Sequence, residues 1–260
     1  MQVNVSSTLD VQELEQKVKS MYRDVALNPH GQYHFEMGRE LAEKLGYDPA
    51  DLDRIPSESI DSFAGVGYFF DLAGIREGET VVDLGSGSGM DLFLASLKTG
   101  NTGKAIGVDM TNEQLQKAER LKEQNGINNV SLYKSYIEST PLENDMCDAV
   151  ISNGVINLSY DKPKVFIEAA RILKRGGRLA IADIVTKVQL PENIVCNTNL
   201  WASCIGGASQ IDFYTSSIEK AGFEIRKIKD NTAYGFISKS AKGATDEFGV
   251  KSVSILAVKK

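Results

Sequence analysis

Apolar side chains recur at helical spacing through residues 10–23, at Leu14, Val18 and Met21, and again through residues 34–45, at Phe35, Met37, Leu41 and Leu45. The front of the chain therefore reads as helical. From about Glu79 the texture changes to short β-branched runs alternating with helical stretches. Residues 80–84, 105–109, 130–133, 148–152 and 178–184 read as strands, and residues 89–98, 112–124 and 163–173 as helices. Parallel strands need crossover connections, so this alternation predicts an α/β fold: a doubly wound, mostly parallel sheet with helices on both faces. Thr111 and Gln114 have capping-box spacing at the start of the helix over 112–124, and Gly176-Gly177 reads as the turn into the fifth strand. Two further helices, over 192–203 and 212–220, and two last strands, over 223–228 and 252–258, bring the sheet to seven strands. With no internal repeat or low-complexity linker, the expected organisation is a helical N-terminal extension, 1–75, covering the active site, and one compact unit, 76–260.

Composition narrows the class. The chain has 260 residues, 42% apolar and 25% charged, which suits a folded globular enzyme rather than a disordered or fibrous chain. A net charge of -6, with no long Lys/Arg run, argues against nucleic acid as a partner. The first twenty residues lack the apolar core of a signal peptide, and no run of eighteen apolar residues occurs, so no membrane partner and a cytoplasmic location are expected. Cys147, Cys196 and Cys204 lack C-x-x-C spacing, so neither a metal site nor a disulfide framework is indicated.

The candidate chemistry begins at Asp83-Leu84-Gly85-Ser86-Gly87-Ser88-Gly89, three glycines at alternating positions between a strand and a helix. Backbone without Cβ atoms can pass close under a ligand there. Twenty residues beyond Gly89, Asp109 ends the second strand, placed to take both hydroxyls of a ribose. A dinucleotide loop spaces its glycines G-x-G-x-x-G to admit a pyrophosphate, whereas this loop reads G-x-G-x-G. Asp83, two residues before the first glycine, would repel phosphate but suits the ammonium of a methionine moiety. The pattern favours S-adenosyl-L-methionine over NAD. Every loop after a strand opens on the same edge, which adds Met110 against the adenine face, Ile137 and Glu138 at the adenine edge, and Asn153 with Val155 toward the methionine end.

Over residues 81–223 the chain resembles the arsenite methyltransferase family. The likeness runs through Gly78-Glu79-Thr80, the glycine loop, Ile106-Gly107-Val108-Asp109-Met110-Thr111 and Tyr136-Ile137-Glu138. It continues in Ile151-Ser152-Asn153-Gly154-Val155-Ile156-Asn157-Leu158-Ser159, Asp183-Ile184-Val185 and Cys204-Ile205-Gly206-Gly207-Ala208. The resemblance implies a Rossmann-like class I methyltransferase fold, S-adenosyl-L-methionine as methyl donor with S-adenosyl-L-homocysteine as product, and trivalent arsenic held by cysteine thiolates. Two of the family's three cysteines are absent: Gly154 follows the Ser-Asn pair, and no cysteine lies in residues 63–67. Only Cys204 matches. Trivalent arsenic is soft and needs two or three converging thiolates. On a continuous helix Cys196 and Cys204 would stand about 12 Å apart, and Cys147, at the start of the fourth strand, lies roughly 16 Å from the active edge.

The expected enzyme is thus a methyltransferase acting on a small-molecule acceptor that is organic rather than arsenite. Competing readings are a protein that binds S-adenosyl-L-methionine without transferring methyl, an arsenite or thiol methyltransferase with a reduced thiol set, and an NAD-dependent enzyme. Candidates for the acceptor side are Gly154, Trp201 and Cys204, with Tyr33, Tyr68 and Tyr214 as further aromatic walls. Candidates for a catalytic role are His34 and Cys204. His30 and His34 otherwise read as exposed or capping side chains, and Cys204 as a small apolar one.

Overall fold

The computed structural model describes residues 10–195, 206–237 and 239–260. Its strands are β1 (Thr80–Leu84), β2 (Lys104–Asp109), β3 (Val130–Lys134), β4 (Cys147–Asn153), β5 (Leu173–Thr186), β6 (Ser209–Gln210), β7 (Phe223–Asp230) and β8 (Lys251–Lys259). They form one sheet in the order β3-β2-β1-β4-β5-β8-β7, with the two-residue β6 added on β5. β1 through β5 run parallel, and β8 inserts antiparallel between β5 and β7. The seven expected strands are all present, and β6 is an addition the pattern did not predict.

Strand side chains alternate between two apolar layers, as a period of two requires. One layer joins Val81, Ala105, Ala149 and Ala180 to Leu92, Phe93 and Leu94 of a helix over Met90–Thr99. The other joins Val82, Ile106, Val150 and Leu179 to Val165, Phe166 and Ala169 of the helix Lys162–Ile172, and to Tyr214 and Ile218 of the helix Ile211–Lys220. Each buried Leu or Phe contributes about 1.5–3 kcal/mol.

The first layer also takes in the helical front of the chain. α1 (Val11–Leu27) places Leu14 and Val18 there, and α2 (Gly38–Leu45) adds Leu41 and Ala42. Gln114 Nε2 donates to Tyr22 O at 2.8 Å, tying α1 to the helix Asn112–Gln124, and Lys117 Nζ donates to Ser62 Oγ at 2.8 Å. α1 is capped by Asp10, whose carboxylate accepts from Glu13 N.

Three local expectations change. Residues 34–37 are not helical: the Gly38 amide is spent on Phe63 O at 2.9 Å, and Phe35 stacks on Tyr22 and Tyr33 instead. Thr111 does stand at the start of its helix, but without a side-chain cap bond: its side chain is engaged by Asp109, and the Gln114 side chain turns away to Ser88 and Tyr22. Gly176-Gly177 lies within β5 rather than before it, where the register with β4 jumps from Cys147↔Leu173 to Ala149↔Arg178. The expected helix over 192–203 is described only as Glu192–Val195, its remainder lying outside the described residues. A helix over Lys239–Phe248 was not foreseen.

Candidate active site

Loops leaving the carboxyl ends of β1, β2, β3 and β4 meet under α1 around a cavity of about 380 Å³. Asp83, Gly85, Ser86, Gly87, Gly89, Asp109, Met110, Ile137, Glu138, Asn153 and Val155 all line it. The fold thus gathers on one wall every residue that the spacing marked for a cofactor. Val11, Leu14, Glu15, Val18 and Tyr22 of α1 form the opposite wall, joined by Phe63, Ala64 and Gly65.

The glycine loop is pinned by Gly85 N and Ser86 N, which donate to Val108 O at 2.7 and 3.1 Å. Gly85 has φ +81, and a Cβ there would lie 2.5 Å from Val155 Cγ1, so both the turn and the close packing demand glycine. Asp109 accepts from Gly87 N at 3.0 Å and from Thr111 N at 2.8 Å, which fixes its carboxylate beside the loop.

Three carboxyl groups face the cavity under unusual electrostatics. Burial, aided by the charges of Asp91 and Asp109, pushes Asp83 well above the usual carboxylate range. Its Oδ2 is buried and has no hydrogen-bond partner among the described residues. Burial also raises Asp91, to about 6, against the opposing hydrogen bonds from Tyr47 and Asn153. Asp109 is raised by burial as well, opposed chiefly by the Thr111 and Gly87 amides. A buried carboxylate oxygen without a donor is costly, and a ligand cation beside Asp83 would remove that cost.

At the far end, Tyr136 OH donates to Glu15 Oε1 at 2.6 Å, and Lys19 Nζ, which donates to the same oxygen at 2.5 Å, sits 4.9 Å from the Tyr136 ring centroid. Glu138 accepts from Ser159 Oγ. α1 is thereby latched to the loop after β3.

Several expectations for the acceptor side come out differently. Gly154 does not line the cavity; its amide donates to Ala182 O, and a Cβ there would lie 3.1 Å from Val66 Cγ1. Tyr214 is fully buried, and its hydroxyl donates to Asp183 Oδ2 at 2.6 Å, so it is a core residue of the opposite layer. Tyr33 donates to Asn28 O, and Tyr68 packs edge-on against Tyr47; neither lines the cavity. His34 packs edge-on against Phe35 away from the cavity wall, and His30 is exposed. Cys196, Trp201 and Cys204 lie outside the described residues. Cys147 is buried, its thiol donating to Ile172 O at 3.2 Å and pushed up to about 12, chiefly by burial.

The spacing argument missed Asp91, Tyr47, Tyr22 and Gln114. A single acid inside the apolar run Met90-Asp91-Leu92-Phe93-Leu94 is a signal for the first; the others come from segments distant in sequence. Among the described residues no group of three or more His, Cys, Asp or Glu is arranged to hold a metal ion, and no helix is long and apolar enough to cross a membrane.

A doubly wound sheet with its ligand loops at the carboxyl edge and an antiparallel strand beside β5 defines a class I methyltransferase fold. The methyltransferase domain family model matches residues 75–222, and the chain belongs to that family, whose methyl donor is S-adenosyl-L-methionine. It is 37% identical over 187 residues to the arsenite methyltransferase of Halobacterium salinarum, covering 72% of this chain and 48% of that protein. It is 40% identical over 152 residues to the arsenite methyltransferase of Homo sapiens, covering 55% and 40%. The chain thus spans about half or less of the length of these curated relatives. The arsenic(III) S-adenosylmethionine methyltransferase of Chlamydomonas reinhardtii superposes with a TM-score of 0.66 at 27% identity, over 86% of this chain and 75% of that one. Geranyl diphosphate C-methyltransferase of Streptomyces coelicolor gives 0.70 at 18% identity, over 97% and 100%, a likeness of fold.

Proposed function

We propose that this chain is an S-adenosyl-L-methionine-dependent methyltransferase acting on a small organic acceptor. The observation that carries the cofactor is Asp83: a buried carboxyl oxygen without a donor among the described residues, beside a glycine loop that lines the cavity. Asp83 holds the methionine ammonium, Asp109 the ribose hydroxyls, and Met110, Ile137 and Glu138 the adenine. When bound, the cofactor supplies an electrophilic methyl group on a sulfonium.

The chain's own contribution is positioning and the exclusion of water. α1, with Leu14, Val18 and Tyr22, and the segment through Gly65 close the cavity, so the described part of the N-terminal extension acts as its cover. No histidine is required for this role where the acceptor reacts already deprotonated, as a thiolate or a carbanion, because no proton is then left to remove.

The organic acceptor rests on the missing thiols. Val66 and Gly154 stand side by side in the two segments where the resembling family carries cysteines, and the described Cys147 is buried with its proton held. Titration with S-adenosyl-L-homocysteine and with NAD tests the cofactor: binding of NAD alone overturns it. Incubation with methyl-labelled S-adenosyl-L-methionine, arsenite and glutathione tests the acceptor, and robust methylarsenical production rejects the organic reading.

A further inference from the structure

Residues 63–68 link the helix Ser57–Asp61 to the helix Phe70–Ala73 as an extended strap across the carboxyl edge of the sheet. Its carbonyls are tied down on one side by β8: Ser252 Oγ donates to Val66 O at 2.6 Å and Ser254 Oγ to Tyr68 O at 3.0 Å. On the other side one amide does the work. Asn153 Oδ1 accepts from Val66 N at 2.8 Å and Gly67 N at 3.3 Å, while its Nδ2 donates to Gly67 O at 3.0 Å.

That amide is itself oriented. Asn153 Nδ2 also donates to Asp91 Oδ2 and to Tyr47 OH, each at 3.0 Å, and Tyr47 OH donates to Asp91 Oδ1 at 2.7 Å. The Val66 and Gly67 amides can only donate and the ionised carboxylate can only accept, so strap and carboxylate together select the orientation with Oδ1 toward the strap amides and Nδ2 toward Asp91. Four segments distant in sequence meet in this knot, and Asp91 is its one carboxyl group, taking a bond from both Tyr47 and Asn153.

We propose that Asp91 is a positioning residue: through Tyr47 and Asn153 it holds residues 63–67 as the cavity wall against which the methyl acceptor is aligned. This rests on the methyltransferase reading for the acceptor, but the holding of the strap stands on the hydrogen bonds alone. Phe63, Ala64 and Gly65 of the strap line the cavity together with Asp83 of β1 and Asp91 of the helix Met90–Thr99, so a displaced strap opens the wall at the methionine end.

The groups facing Asp91 are Tyr47 between α2 and the strap, Asn153 at the end of β4, Asp83 on β1, and the Tyr68 phenol on the strap; Asp109 acts on Asp83 from β2. Two acids and two phenols set the local field, with burial as the main cause of Asp91's elevation to about 6. Protonation of Asp91 places a hydrogen on one of the two oxygens that accept from Tyr47 and Asn153, which weakens the hold on the Asn153 amide while the Val66 and Gly67 amides still require its Oδ1.

Amide hydrogen exchange at Val66 and Gly67, corrected for intrinsic rates, is measured from pH 5 to 8 on the full chain and on Tyr47→Phe and Asp91→Asn. Release of the strap leaves Asp91 buried but without the Asn153 bond that opposes its elevation, so protonation favours release, and the wild-type amides lose protection by tenfold or more below pH 6 while global stability rises. Tyr47→Phe, which keeps the ring packing against Phe63 and Phe70, removes one donor to Asp91 and moves that transition to higher pH. Asp91→Asn abolishes the transition. Protection of Val66 and Gly67 that is independent of pH in the wild type, or a transition unmoved in Tyr47→Phe, overturns the proposal even if Asp91→Asn fails to fold. Binding of S-adenosyl-L-homocysteine is measured in parallel: its absence in the wild type counts against the methyltransferase reading and leaves the strap result intact.

Discussion

Val66 and Gly154 face one another across the strap: a Cβ on Gly154 would lie 3.1 Å from Val66 Cγ1 and 3.9 Å from Ala64 O. Two thiols at these positions would converge on a common atom. Val66→Cys/Gly154→Cys is therefore expected to bind phenylarsine oxide at one equivalent, detected by mass spectrometry of the native protein, while the wild type does not. The φ of +72 at Gly154 disfavours a side chain, so the double variant loses about 1–3 kcal/mol in denaturant unfolding. Equal labelling of wild type and variant would show that other thiols already form a site.

Gly85 and Val155 make a second, tighter contact. Gly85→Ala places a methyl 2.5 Å from Val155 Cγ1 at φ +81, and is expected to cost at least about 2 kcal/mol and to abolish binding of S-adenosyl-L-homocysteine. Val155→Ala relieves the clash but not the backbone strain, so the double variant recovers part of the stability. A double-mutant cycle by urea unfolding measures the coupling; additive effects would mean that the two residues do not press on each other.

Asp83 and Asp91 link the protein's stability to pH. Their folded-state pKa values lie above the unfolded ones, so the folded form binds protons more tightly and stability falls as pH rises from about 4. For Asp91, raised from 3.8 to about 6, the loss between those values is about 3 kcal/mol; Asp83 extends the decline to higher pH. Asp83→Asn is expected to stabilise the ligand-free protein at pH 7.5 by about 1–3 kcal/mol, and to weaken S-adenosyl-L-homocysteine binding at least tenfold. Denaturant unfolding at pH 5 and 7.5, with and without that ligand, reads both effects. A variant less stable than wild type at pH 7.5 in the absence of ligand refutes the assignment.

The Tyr136 to Glu15 contact latches α1 from outside the core. Tyr136 is 45% exposed and Glu15 is half-buried, so solvent screens the latch and it contributes up to about 1 kcal/mol. Tyr136→Ala should speed dissociation of S-adenosyl-L-homocysteine about three- to fivefold in stopped flow, with a smaller effect in high salt. No change in off-rate would show that α1 is held by Leu14 and Val18 alone.

Elements whose apolar period is regular were legible along the chain. β1 is bounded as its β-branched run indicates, and the helix over Asn112–Gln124 matches the expected residues in full. The misplacements fall where a long-range partner overrides a local preference. Phe63 O takes the Gly38 amide from a residue 25 positions away and shortens α2, and Gln114 abandons its cap for Ser88 and Tyr22.

The amino-acid order by itself determined the seven strands and the edge at which Asp83 and Asp109 meet, because their spacing is local and one strand-loop-helix-strand unit places both. Tertiary structure alone decided how the strap facing that edge is held. Tyr47, Asp91 and Asn153 are 44 and 62 residues apart and carry no shared motif, yet their buried donors and acceptors must be paired once the sheet has brought them together. The same folding sent Asn153, a candidate ligand residue by position, to the strap: both ends of its amide are spent on residues 66–67, Tyr47 and Asp91.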